Sequence, residues 1–174
     1  MTIQQVDFSL LDRQLVALIA DEADPLANTA NFVGLLYDGI PEINWLGVYV
    51  LREQDLVLGP FQGKPACVRL PMGQGVCGTA ASRLQTLRVP DVHEFPGHIA
   101  CDPQSRSEIV VPLLLGGVLA GVLDIDSPYP DRFTERDQQG IEMLCGTFTA
   151  EMSKKAASAA TGRTTGRTNG RAFI

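Results

Sequence analysis

The sequence predicts a single domain of mixed α/β (α+β) class. Apolar residues recur with helical spacing in residues 8–37 and again in 134–148, and two pairs of β-rich runs lie between them. The 174 residues are 45% hydrophobic and 20% charged, which is an ordinary globular composition. A chain of this length buries enough surface to fold without disulfides or metal, so a small disulfide scaffold is excluded.

Three helices are predicted toward the two ends of the chain. In the first 37 residues the apolar series stops at Pro25 and resumes after it, which indicates two helices rather than one. Near the carboxyl end, Thr134 and Asp137 have the spacing of a capping box that starts an amphipathic helix. The apolar positions of the three helices are Leu11, Leu15, Leu18, Ile19, Leu26, Ala30, Val33, Tyr37, Ile141, Leu144, Cys145 and Phe148.

Two β-hairpins are predicted in the middle of the chain. Residues 44–51 and 56–61 are rich in β-forming residues and are separated by four polar residues. Residues 109–115 and 118–125 are separated by two glycines, which favour a tight hairpin turn. Between the hairpins, glycines predict a flexible loop that leads into a short helix at residues 79–83. The proline-containing residues 89–107 predict a long loop, of a kind that is often functional.

Composition argues against several classes of partner. The formal net charge of −6 disfavours nucleic acid, because such binding depends on Lys and Arg. No run reaches the ~18 apolar residues of a membrane span, and no signal-peptide pattern is present at the amino end. We therefore expect a cytoplasmic protein with no membrane partner. Its cysteines would normally be reduced, and any disulfide would be transient or catalytic. The oligomeric state stays open, with a homodimer as one alternative.

The end of the chain differs from the rest. Residues 156–174 contain a Gly-Arg-Thr pattern that repeats every four residues and offers almost no apolar surface to bury. We expect the folded domain to span residues 1–155 and a disordered tail to follow it at 156–174.

The four cysteines are the first candidates for chemistry. Cys67, Cys77 and Cys101 lie in or beside glycine- and proline-rich loops, where thiols are more often accessible. Cys145 lies on the apolar face of the last predicted helix, as a small buried hydrophobic residue would. A thiol that attacks an oxidised substrate becomes a sulfenic acid, which a nearby thiol can capture as a disulfide. Inert loop thiols are the alternative, and no two cysteines have the close spacing of a structural zinc site.

Carboxylates form the second group. Strand alternation places Asp124 and Asp126 on one face, and the predicted hairpin brings Glu108 toward them. Crowded carboxylates are costly unless a cation binds or one of them stays protonated, so such a group suits an ammonium ligand and proton donation. Solvated strand ends are the alternative.

Aromatic and histidine side chains offer weaker signals. Trp45 and Tyr49 lie four residues apart on one strand face, as either ordinary core or one wall of a ligand pocket. His93 and His98 lie in the long predicted loop, where they are either metal ligands, bases or plain surface residues.

Six segments between residues 36 and 151 combine three cysteines with this carboxylate set. They read N-W-L-G-V-Y (44–49), G-P-F-Q-G-K-P-A-C (59–67), R-L-P-M-G-Q-G-V-C-G-T-A (69–80), H-I-A-C-D (98–102), S-R-S-E-I-V-V-P (105–112) and G-V-L-D-I-D-S-P (121–128). In this combination the sequence resembles the free methionine-(R)-sulfoxide reductases, a catalytic branch of the GAF-domain fold.

The resemblance implies a fold and an activity. The fold would be a single GAF-like domain in which a central antiparallel sheet is flanked by helices and loops enclose a small pocket. The activity would be reduction of free methionine (R)-sulfoxide, with thioredoxin as the reductant and no cofactor. Among the thiols, the resemblance implies Cys101 as the nucleophile, Cys67 as the resolving cysteine and Cys77 as a second resolver.

The same resemblance assigns the binding residues. It implies Glu108, Asp124 and Asp126 as substrate-binding acids, and it implies Trp45 and Tyr49 as an aromatic wall.

Two other functions stay open. One is a non-catalytic GAF sensor that uses the same pocket for a small ligand. The other is a zinc-binding protein that uses Cys67, Cys101 and His98.

Overall fold

Six strands pair antiparallel in one sheet, with helices on both of its faces, in the computed structural model, which describes residues 5–97 and 102–161. The strand order is β3-β2-β1-β6-β5-β4, and the predicted mixed α/β class is confirmed. The elements are α1 (Phe8–Ile19), α2 (Pro25–Gly39), β1 (Trp45–Arg52), β2 (Asp55–Gln62), β3 (Arg69–Pro71), α3 (Gly75–Arg83), β4 (Leu87–Val89), a 3-10 turn (Val92–Glu94), β5 (Ser107–Leu115), β6 (Val118–Ser127) and α4 (Glu135–Thr161).

Three helices, α1, α2 and α4, cover one face of the sheet and build the larger core with it. The predicted break between the first two helices is confirmed, since Pro25 occupies the first position of α2. The Asp24 carboxylate caps this helix by accepting two backbone N–H groups of its first turn. Phe32 of α2 stacks on Phe148 of α4 with ring centroids 4.3 Å apart, which fixes the two helices against each other.

The last helix begins with the predicted capping box. The Asp137 N–H donates to Thr134 Oγ1 at 3.1 Å, and the Thr134 N–H donates to Asp137 Oδ2 at 2.9 Å. The helix continues to Thr161, past the expected domain end at residue 155. Residues 162–174, which make up most of the expected tail, lie outside the described residues. Within the described ranges, no helix has the length and apolar character needed to span a membrane.

Both predicted hairpins are confirmed. β1 pairs with β2, and β5 pairs with β6 through Gly116 and Gly117. The φ angles of these glycines are 58° and 83°, the left-handed values that a two-residue hairpin turn requires. Because β6 also pairs with β1, the strands that carry the predicted acids and aromatics lie side by side at the centre of the sheet.

The other face of the sheet carries α3, which begins at Gly75, earlier than the predicted start at residue 79. Its glycines suggested a loop, but Gly78 is needed inside the helix. A β-carbon there would collide with the backbone carbonyl of Pro71, so glycine allows α3 to lie close to β3. The edge strands β3 and β4 were not predicted, since three residues are too few to show alternation.

Candidate functional site

Three acidic side chains meet on the α3 side of the central strands. Glu108 pairs with Asp126 across the β5–β6 ladder, and Asp124 lies on the same sheet face two residues earlier. Glu108 is 5% exposed and Asp124 is 6% exposed, so the alternative of solvated strand ends is wrong for these two. We call Glu108, Asp124 and Asp126 the acid cluster. The sequence expectation that the hairpin brings the three together agrees with this placement.

Burial raises the pKa of each member of the acid cluster. Burial is the main cause for Glu108, and repulsion from Asp124 and Asp126 adds to it. Burial and then Asp124 raise the pKa of Asp126 in the same way. The pKa of Asp124 rises only to about 6, because burial is opposed by hydrogen bonds from Cys77 and Glu108. The shifts favour the neutral carboxylic acid form at Glu108 and Asp126, and Asp124 is the member of the cluster that ionises most readily.

Cys77 lies in α3 directly above the acid cluster. Its Sγ atom is 3.9 Å from Glu108 Oε1, and only 4% of the residue is exposed. The expectation of an accessible loop thiol is wrong for Cys77, because α3 starts before it. Burial, followed by the charges of Asp124 and Glu108, raises the pKa of this thiol. Cys77 is therefore a neutral, enclosed thiol.

Trp45 and Tyr49 form an aromatic wall beside the acid cluster. Their ring centroids are 5.8 Å apart, and the Trp45 ring also stacks on Phe61 at 5.6 Å. Trp45 Nε1 donates to the Lys64 carbonyl at 3.0 Å, and Tyr49 Oη donates to the Cys67 carbonyl at 3.0 Å. The wall thus anchors the segment that carries Cys67.

Gly47 lies between the two wall residues on the same strand face. A β-carbon at this position would overlap the indole ring of Trp45 and would lie 2.7 Å from Phe61 Cβ. The absence of a side chain at Gly47 therefore lets the Trp45 ring lie flat along β1. Gly47 was not among the predicted site residues, although it occurs in the N-W-L-G-V-Y segment.

The remaining predicted residues occupy different surroundings. Cys67 is half-buried and disulfide-bonded. Cys145 is a free thiol buried in the helical core, as its position in the helix predicts. Cys101 and His98 lie outside the described residues. His93 is exposed and its Nδ1 lies 2.7 Å from Asp91 Oδ1, so it contacts a surface carboxylate rather than the acid cluster.

A polar network that was not predicted from the sequence lies at the rim of the candidate site. Asn44 Nδ2 donates to Asp102 Oδ2 and to Ser105 Oγ, both at 3.2 Å. Lys64 Nζ lies 3.5 Å from Asp102 Oδ2. The backbone N–H of Gln104 and the Lys64 charge lower the pKa of Asp102, which is therefore ionised. The feature of the sequence that could have indicated Asp102 as a site residue is its position directly after the cysteine of H-I-A-C-D.

Two adjoining cavities unite these groups. One is lined by Cys77 and Glu108, and the other is lined by Trp45 and Tyr49. Asp102, Asp124 and Asp126 line both cavities. The space therefore offers negative charge, neutral carboxylic acid donors and aromatic surface to one small molecule, a combination suited to a cationic polar ligand with an apolar end.

Comparison with known proteins gives this geometry a context. The GAF domain family matches residues 12–151. The chain is 55% identical over 134 residues to the free methionine-R-sulfoxide reductase of Escherichia coli, which covers 77% of this chain and 81% of the relative. The reduced form of the Staphylococcus aureus fRMsr structure is 47% identical with a TM-score of 0.84, covering 87% of this chain and 99% of that one.

A second solved structure is similar over the whole fold. The free methionine-R-sulfoxide reductase of Neisseria meningitidis, determined in complex with its substrate, is 37% identical with a TM-score of 0.83. The match covers 91% of this chain and 98% of that one. The overall fold of this chain is therefore similar to that of a relative whose structure contains its substrate.

Proposed function

This chain belongs to the free methionine-R-sulfoxide reductase branch of the GAF domain family, and on that premise we propose that it reduces free L-methionine (R)-S-oxide to L-methionine. The observation that carries the proposal is the acid cluster lying against the Trp45–Tyr49 wall. A free amino acid brings an ammonium group to the carboxylates and a sulfoxide oxygen to the neutral acids. Its methyl group is apolar and suits the aromatic surface.

The proposed chemical step is thiolate attack on the sulfoxide sulfur. The Cys101 thiolate attacks this sulfur and forms a transient S–S bond. As the oxygen takes up a proton, it transfers from the substrate sulfur to the Cys101 sulfur; the S–O bond of the substrate and the transient S–S bond both break, which leaves methionine and a Cys101 sulfenic acid. Methionine sulfur is thereby reduced by two electrons and Cys101 is oxidised by two. The oxygen must receive a proton or a strong hydrogen bond as the bond breaks. Glu108, whose pKa is raised by burial and by the neighbouring acids, supplies it in this scheme.

The second proposed step resolves the sulfenic acid. The Cys67 thiol attacks the Cys101 sulfur, water leaves, and a disulfide forms. Cys67 suits this role because it is half-buried on an anchored segment and is disulfide-bonded in this structure. Cys77 stays a candidate second resolver, which its burial and its 3.9 Å contact with Glu108 make the slower of the two.

A dithiol protein must then reduce the disulfide to complete the cycle. We propose thioredoxin for this role, because exchange returns both cysteines to thiols and leaves the oxidised dithiol on the reductant. The cytoplasm, where thiols are kept reduced, is the compartment that suits this cycle. Every residue in the scheme belongs to one chain, so it operates equally in a monomer or a homodimer.

Separated epimers of free methionine sulfoxide test the proposal. With dithiothreitol as reductant, the R epimer should yield methionine over many turnovers and the S epimer should not. N-acetylmethionine (R)-sulfoxide should react far more slowly, because acetylation removes the charge that the Asp124 carboxylate attracts. Tight binding of the R epimer without turnover would replace the proposal with the sensor alternative.

A further inference from the structure

The structure places three potential metal ligands together in the pocket. A ligand atom from each of Cys77, Glu108 and Asp124 lies within 4.8 Å of the other two, and all three residues are buried. These residues come from three different elements, α3, β5 and β6, so the fold holds the ligands in place without any one flexible loop. Because the site belongs to the pocket used in the proposed function, a bound ion would compete with substrate.

One carboxylate oxygen among these three potential ligands is buried without a hydrogen-bond partner in the described part of the chain. Asp124 is only 6% exposed, and its Oδ1 atom is fully buried. This atom has no hydrogen-bond partner among the described residues. A buried carboxylate oxygen without a partner is costly, and a cation would satisfy it. The cavity that these residues line has a volume of about 30 Å³, which is room for an ion and a water-sized fourth ligand.

We propose that Cys77, Glu108 and Asp124 bind a thiophilic divalent cation, Zn²⁺ in the cell, which inhibits the enzyme by competing with its substrate. One sulfur and two carboxylate oxygens are a donor set that Zn²⁺ and Cd²⁺ accept, whereas Mg²⁺ and Ca²⁺ prefer oxygen ligands alone. Binding releases the protons of the Cys77 thiol and of the Glu108 carboxyl to solvent. The S–H bond of Cys77 and the O–H bond of Glu108 are the bonds that break, and no electron is transferred.

A Cd²⁺ titration tests the site without any turnover. The full chain with Cys67→Ser and Cys101→Ser retains two thiols, Cys77 and Cys145. We expect one equivalent of Cd²⁺ to produce the ultraviolet charge-transfer band of a thiolate–cadmium bond. Adding Cys77→Ser should abolish the band, and adding Cys145→Ser, the matched control in the helical core, should leave it unchanged. No band, or a band that depends on Cys145, would overturn the proposal.

Zn²⁺ affinity gives a second measurement that does not depend on the thiol band. In competition with a chromophoric chelator, Asp124→Asn should bind Zn²⁺ at least about tenfold more weakly. Excess Mg²⁺ should not displace Zn²⁺, and free methionine sulfoxide should displace it. Unchanged affinity in Asp124→Asn, or displacement by Mg²⁺, would overturn the assignment of these ligands. The Cd²⁺ band and the Zn²⁺ affinity use metal binding alone, so failure of the reductase proposal would not alter them. Failure of methionine sulfoxide to displace Zn²⁺ would overturn the proposed competition.

Discussion

Glu108 and Asp126 face each other as direct partners across the β5–β6 ladder. Like charges at such a position are destabilising, because the two side chains are close and Glu108 is buried. Protonation removes the repulsion, and the raised pKa of each group expresses this preference. Glu108 and Asp126 can thus act as proton donors next to Asp124. Because the three groups interact, their protonation is a property of the acid cluster rather than of one residue.

Replacing Glu108 by Gln should slow the chemical step. Gln keeps the size and can donate a hydrogen bond but cannot transfer a proton, so we expect single-turnover methionine formation to slow by about 10²-fold or more. The wild-type rate should also decline at high pH as Glu108 ionises, and this decline should be absent in the variant. Asp91→Asn, which alters a partly buried carboxylate outside the pocket, is the control and should leave the rate unchanged. A fully active Glu108→Gln enzyme would remove Glu108 from the proton-donor role.

Stability should depend on pH through Asp124. Its pKa rises from 3.8 to about 6 on folding, so between these values the folded state binds more protons than the unfolded state. The free energy of unfolding should therefore fall as pH rises through this range, by on the order of 2–3 kcal/mol. Denaturant titrations at several pH values measure this, and Asp124→Asn should flatten the curve and raise stability at neutral pH.

Asp91 provides an internal contrast for the same measurement. Its pKa is lowered to about 2 by hydrogen bonds from His93 and by Arg106. The stability it contributes should be present above the unfolded pKa of the group and lost as pH falls toward 2, the opposite direction from Asp124. If the free energy of unfolding of Asp124→Asn and of Asp91→Asn changed with pH in the same way, the directions assigned to both pKa shifts would be contradicted.

Gly47→Ala should impair substrate binding. The added methyl group must displace the Trp45 ring, so we expect kcat/KM to fall by about tenfold with most of the effect on KM. Gly34→Ala is the matched control, because a β-carbon at that helical position meets no atom within 4 Å. It should leave kinetics unchanged and raise the melting temperature slightly. Equal kinetics for the two variants would show that the orientation of Trp45 does not matter.

Single-turnover and thioredoxin-coupled assays should distinguish the roles proposed for Cys101 and Cys67. Cys101→Ser should form no methionine, because a hydroxyl is a weak nucleophile at neutral pH. Cys67→Ser should form one methionine per enzyme and then stall with thioredoxin, while a small thiol restores turnover. Full thioredoxin-coupled turnover in Cys67→Ser would assign resolution to Cys77, and loss of that turnover in Cys67→Ser/Cys77→Ser would complete the assignment.

Local sequence signals predicted most of the fold. Pro25, the Gly116–Gly117 turn and the Thr134–Asp137 capping box act over a few residues, and the structure contains each of them as expected. The start of α3 was misjudged because Gly78 is set by a long-range contact with the carbonyl of Pro71, which sequence spacing does not reveal.

The site was predictable to the extent that strand pairing creates it. Alternation in β6 and the hairpin register were enough to bring Glu108, Asp124 and Asp126 together. The enclosure of Cys77 was not predictable, because it depends on where α3 packs. Asn44 and Asp102 were missed for a similar reason, since their contact joins residues 58 positions apart through two short polar side chains.

The short outer strands of the sheet also bear on how the protein behaves at high concentration. β3 and β4 form the two edges, and each is three residues long. An exposed edge recruits other chains through its free main-chain groups, and a short edge provides few of them. The long apolar strands β1 and β6 each pair with a strand on both sides. The fold should therefore resist amyloid-type extension of its sheet, even though its centre is rich in β-branched residues.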